Sequence, residues 1–175
     1  VDEEAWAVMR RLYAANASKH GGARYLTPAF FQEIRKHFAH RAVVSLAWKD
    51  ASVVAGTLNF ERGQHLYGRY WGALDEYDML HFELCYYQLI ERAVARRHTL
   101  FEAGAQGEHK LKRGLDPAYT HSAHLIRHPG LHAAIARFVE GEAAHVEREV
   151  AEYRALSPYS RAAGAAGGGG ATSDE

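Results

Sequence analysis

The hydrophobic period changes near residue 42, from helical spacing to alternation, and this change limits the fold more than any other feature of the chain. Before it, Trp6, Met9 and Tyr13 recur at helical spacing behind a capping Asp2, and the pattern stops at His20, Gly21 and Gly22. Thr27 followed by Pro28 marks a second helix start, with Phe31, Ile34 and Phe38 on one face. From Ala42 the pattern alternates. Val43, Val44, Leu46 and Trp48 run to a polar turn at Lys49 to Ser52, and Val53, Val54, Thr57, Leu58 and Phe60 follow. A second turn at Arg62 and Gly63 leads into an aromatic stretch from His65 to Leu74. Two helices and then a three-stranded antiparallel meander are expected. Gly68 and Gly72 inside the third strand mark a bulge, a packing bend, or a place where a ligand or another backbone comes close.

Met79 to Arg97 then reads as one helix, apolar around much of its girth and suited to packing on a sheet. Thr99 to Glu102 reads as a short strand, Gly104 to Gly107 as a turn, and Glu108 to Arg113 as at most two helical turns. Ala118 to Ile126 reads as another extended run, and Pro129 opens a long helix that ends before Pro158. The final run, RAAGAAGGGGATSDE, has nothing to bury. One domain over residues 1–157 and a disordered Gly/Ala-rich tail over 158–175 are expected.

Lys plus Arg and Asp plus Glu balance at 21 each, so net charge supplies no general reason for a nucleic-acid or membrane partner, and no DNA partner is expected. The one cysteine, Cys85, cannot form an internal disulfide, which fits a reducing compartment. No apolar run approaches the ~18 residues of a membrane span, and no charged-then-apolar leader opens the chain. A cytoplasmic protein is expected. The chain starts at Val1 and goes directly into a helical pattern, so a piece of a longer polypeptide, or a processed one, is expected. The twelve histidines are scattered. His121 and His124 would face opposite sides of a strand, and Pro129 separates His128 from His132, so no metal site is expected.

Two blocks carry a resemblance. RYWGALDEYDMLHFELCYYQLIERAVARR, from Arg69, and LFEAGAQGEHKLKRGLDPAYTHSAHLI, from Leu100, resemble the FemAB-like predicted N-acyltransferases, the peptidoglycan biosynthesis or recognition proteins of bacteria. The order of elements is similar to that of GNAT acyltransferases. The resemblance implies an α/β (α+β) GNAT-type fold, a mixed and mostly antiparallel central sheet flanked by helices. It also implies that the chain is the second of two GNAT-type halves, with an N-terminal half upstream as partner.

In such a fold the third meander strand and the strand after the next helix splay apart around the acyl donor. The resemblance would thus bring Arg69, Tyr70 and Trp71 near Glu102 and the loop that follows. Acyl transfer to an amine needs a base, donors for the oxyanion and a proton for the leaving group. Glu102 is the first candidate base, with His109 and His81 as alternatives. Glu102 reads equally as a carboxylate paired with Arg69 or bonded to loop amides. Gln106, Gly107, Glu108 and Lys110 are candidates for substrate binding beside the turn, and Ser122 and His124 for lining a pocket. Gly-Ala-Gln-Gly also reads as a plain tight turn before a solvated basic face.

No permanently bound cofactor is expected. Coenzyme A donors are commonly held by a glycine-rich loop at the start of the helix after the meander, where backbone amides meet the pyrophosphate. This chain has ALDEYDMLH there, and Asp75, Glu76 and Asp78 would repel a pyrophosphate. Both acyl-CoA and aminoacyl-tRNA stay open as co-substrates, the second making tRNA a partner. The expected function is transfer of an acyl or aminoacyl group to an amine of a small molecule, peptide or cell-wall precursor. The alternative is a non-catalytic half that recognises a peptide or peptidoglycan precursor.

Overall fold

The computed structural model describes residues 2–19, 25–104, 108–157 and 159. The chain divides into two compact units, Val1–Ala105 and Gln106–Glu175. In the first unit, α1 (Glu3–Lys19) and α2 (Pro28–Phe38) begin where their caps predict. Asp2 Oδ1 accepts from the Ala5 amide at 2.8 Å, and Thr27 Oγ1 from the Phe30 amide at 3.2 Å, each satisfying one of the unpaired donors of a helix start.

The meander follows as β1 (Ala42–Lys49), β2 (Ser52–Arg62) and β3 (His65–Ala73), all antiparallel. Gly63 supplies the left-handed residue of the two-residue turn between Arg62 and His65, at φ +58°. A crossover returns the chain to β4 (Leu100–Glu102), parallel to β3, giving a four-stranded mixed sheet in the order β1-β2-β3-β4. This is an α/β arrangement of GNAT type.

That crossover is not one regular helix. A single turn, α3 (Leu80–Phe82), leads into a π turn at Glu83–Tyr87 and then α4 (Gln88–Ala95). Gln88 Nε2 donates to Glu83 Oε1 at 2.7 Å, a contact between residues five apart that the wider turn brings together. Apolar residues lie around most of this segment, so their spacing in the sequence could not separate the two helical periods.

Each face of the sheet has its own core. On one face Leu58 packs with Trp6, Met9 and Leu12 of α1 and Phe31 of α2. On the other, Leu66 packs with Leu89 and Ala93 of α4 and Phe101 of β4. Leu58 and Leu66 are fully buried, and truncating either to alanine costs about 2–5 kcal/mol. Gly72 is required by the first core. A Cβ there would collide with the Leu12 carbonyl, so α1 lies directly on the strand backbone.

The second unit carries a 3-10 segment, Glu108–Arg113, and α5 (Pro129–Ala155). His128 caps α5, its Nδ1 accepting from the Leu131 amide at 3.2 Å. The extended run expected at 118–126 forms no strand; its side chains are mostly exposed and no ladder pairs its backbone among the described residues. Alternation alone cannot make a strand without a partner edge. The Gly/Ala-rich tail lies outside the described residues apart from Tyr159.

Candidate active site

The pairing of β3 with β4 is short. It joins His65 to Leu100, Leu66 to Phe101 and Tyr67 to Glu102, and ends there. Beyond this point the residues 68–73 of β3 have no strand beside them on that edge, among the described residues. Glu102 therefore stands where the two strands stop pairing.

A bulge in β3 sits at the same level. Asn59 pairs with Gly68 and Leu58 with Tyr70, so Arg69 is the extra residue. A bulge takes one residue out of the ladder and re-aims its side chain. Here it also reverses which residues face which side. Leu66 and Gly68 face α4, whereas after the bulge Tyr70 meets Tyr13 and Phe30, and Gly72 meets Leu12. Trp71 consequently points to the α4 side, where its ring meets His81 edge-on at 5.2 Å.

Arg69 turns to β4. Its Nη1 and Nη2 both donate to Glu102 Oε1 at 3.0 Å, and Nη1 also reaches the Gly68 carbonyl at 3.3 Å. The guanidinium lies over the Tyr67 ring, 5.4 Å from its centre. Tyr67 in turn exchanges a hydrogen bond with His65 Nδ1 at 3.3 Å. Arg69 and Glu102 are 38% and 35% exposed, which leaves the pair open to a ligand and weak as a stabilising contact. Glu102 Oε2 has no hydrogen bond among the described residues. One oxygen is anchored and the other is available as an acceptor.

The expected residues thus distribute as follows. Arg69 and Glu102 meet directly. Tyr70 shares their face of the sheet but sits in the aromatic packing of α1 and α2, where burial and then the neighbouring Tyr13 push its phenol above the ordinary value. Trp71 and His81 lie on the opposite face with Phe82 and Tyr86. The two first-unit candidates for the base, Glu102 and His81, are therefore on different sides of the sheet.

In the second unit, His109 and Lys110 lie in the 3-10 segment that Glu108 begins. Arg113 donates to the His109 carbonyl at 2.8 Å. Burial, followed by the positive charges of Arg113 and Lys110, holds the His109 imidazole below the ordinary histidine value and favours its neutral form. Ser122 and His124 contact each other at 2.9 Å in an exposed stretch. Gln106 and Gly107 lie outside the described residues.

Two groups of side chains carry no sequence signal of their own. Tyr67 is the floor under Arg69, recognisable only once the bulge is known. Glu61 forms a second cluster: Arg92 donates to both its oxygens at 2.7 and 3.1 Å, and His98 Nε2 lies 3.0 Å from Oε1. This cluster ties the end of α4 to β2 near the start of β4, away from Glu102. Residues 61, 92 and 98 are too far apart in the chain for a motif to show.

The four-stranded mixed sheet flanked by helices is an α/β fold of GNAT type, and the comparison with known proteins narrows it. Residues 1–161 match the FemAB_like family, described as peptidoglycan biosynthesis/recognition, and the chain belongs to that family. No curated protein matches the chain. Among the described residues no helix is long and apolar enough to cross a membrane.

Proposed function

We propose that this chain is an N-acyltransferase that moves an acyl or aminoacyl group onto an amine, with Glu102 as the base. The observation that carries this reading is Glu102 itself: Oε1 is held by Arg69 where β3 and β4 stop pairing, and Oε2 is left to accept a proton. In the reaction the amine nitrogen attacks the donor carbonyl carbon and an N–C bond forms. Glu102 accepts the proton the nitrogen loses, the bond from the carbonyl carbon to sulfur or oxygen breaks, and the leaving thiolate or alkoxide takes up a proton. Family membership favours an amine of a peptidoglycan precursor as acceptor and the cytoplasm, where such donors are made, as the compartment.

The donor is an aminoacyl-tRNA or an acyl thioester, with no cofactor held permanently. The start of the crossover favours the first. α3 is a single turn preceded by Asp75, Glu76 and Asp78, whose charges oppose a pyrophosphate at this helix start.

The test is product detection by mass spectrometry with aminoacyl-tRNAs and acyl thioesters as donors. Glu102→Gln, which keeps shape and removes the base, is expected to lower transfer by at least about tenfold in a folded protein. His109→Ala tests the alternative base separately. Near-normal turnover in the Glu102 variant would reject Glu102, and tight binding of a muropeptide without transfer from any donor would favour a recognition role.

A further inference from the structure

The ion pair at the end of β4 leaves a specific set of bonds unmade. A guanidinium has two edges on which it can hold a carboxylate with parallel N–H donors: the end formed by Nη1 and Nη2, and the side formed by Nε and one Nη. Glu102 uses the first, and it does so with Oε1 alone. On the side edge of Arg69, Nε has no hydrogen bond among the described residues and Nη2 has only the one to Glu102 Oε1; Glu102 Oε2 has none. Unused donors and an unused anionic acceptor therefore belong to one ion pair.

Two further features keep this arrangement oriented. The bulge aims Arg69 at Glu102 instead of leaving it in the alternation of the strand. The Tyr67 ring supports the guanidinium from one side, and Tyr67 is the register partner of Glu102, so the support and the carboxylate stand level.

We infer that this pair is a binding site for the zwitterion of an α-amino acid, its carboxylate on the side edge of Arg69 and its ammonium on Glu102 Oε2. A single carbon bearing both charges matches a donor edge and an acceptor that belong to neighbouring groups. A simple amine meets only Glu102 and leaves the Arg69 edge unanswered; a simple carboxylate meets only Arg69 and is repelled by Glu102. This inference rests on Glu102 as the residue that receives the amine, and it names the acceptor class: an amine whose own carbon carries a free carboxylate.

The experiment is an NMR titration of the whole chain with glycine, ethylamine and acetate as separate probes, following the Arg69 side-chain resonances and the Glu102 carboxyl carbon. Glycine is expected to shift both groups saturably, with ethylamine and acetate at least about tenfold weaker, the loss of one charge-assisted contact. Arg69→Lys keeps the charge without the two parallel donors, and is expected to abolish the preference for glycine over ethylamine. Equal binding of ethylamine and glycine overturns the inference, as does the absence of saturable glycine binding. Transfer assays separate the two claims. Glycine binding with no transfer from any donor counts against the acyltransferase alone, whereas transfer to ethylamine as fast as to glycine counts against the zwitterion site alone.

Discussion

At the scale of the residue, two positions show how little space and charge decide the site. Gly72 touches the backbone of α1, so Gly72→Ala must push the helix off the sheet. Overpacking of this kind costs about 1–3 kcal/mol, measurable as a lower urea midpoint with unchanged slope. Wild-type stability in that variant would mean α1 is not seated on β3. His109 is the second case. Burial and two cationic neighbours lower its titration, and Arg113→Gln removes one of those charges. Its NMR midpoint is expected below about 6.5 in the wild type and closer to that value in the variant, without full recovery because burial is the larger cause. An ordinary midpoint in the wild type would refute the assignment. The sequence named both Arg69 and Glu102, and even the ion pair between them as one reading of Glu102. It could not show that Trp71 and His81 lie on the other face, because one inserted residue reverses the alternation that would have placed them.

At the scale of the element, helix starts were legible and the interior of the crossover was not. Asp2, Thr27 and Pro28 act locally, and their hydrogen bonds form where capping rules put them. The π turn depends on packing against the sheet. The end of α4 offers a direct test. His98 N–H bonds the Ala93 carbonyl and Arg97 N–H the Val94 carbonyl, the paired closure that usually carries glycine, yet the left-handed residue is Arg97 at φ 56°. Arg97→Gly relieves a cost of about 1–2 kcal/mol and adds back part of it as chain entropy, so a net gain of roughly 0.5–1 kcal/mol is expected on chemical denaturation. A loss of stability would show that the Arg97 side chain does more than tolerate its backbone.

The same helix end is pinned by Glu61, whose carboxyl lies below its ordinary value, chiefly because Arg92 hydrogen-bonds its charged form, with a further bond from His98. A lowered folded value means the contribution is present above the unfolded carboxylate range, near pH 4 to 5, and is lost as pH falls through the folded value. Glu61→Gln is therefore expected to cost about 1–3 kcal/mol at pH 7, with the difference from wild type shrinking steadily below roughly pH 4. A difference that does not change with pH would exclude the ion pair as its source. The His98 side chain is only 7% exposed and its Nδ1 has no hydrogen bond among the described residues.

At the scale of the whole molecule, the order of helices and strands was legible because the hydrophobic period changes with each element. The fold class and the family both followed from that order and from the two blocks beginning at Arg69 and Leu100. The exception, the run at 118–126, shows the limit of local pattern: a strand needs an edge to pair with. The central claim is that Glu102 serves acyl transfer to an amine. It is tested most directly by incubating the folded protein and its Glu102→Gln variant with aminoacyl-tRNA or acyl thioester and an amine-bearing acceptor, and weighing the products. Amide product from the wild type, reduced by at least about tenfold in the variant, is the expected result. Equal product from both would contradict the account.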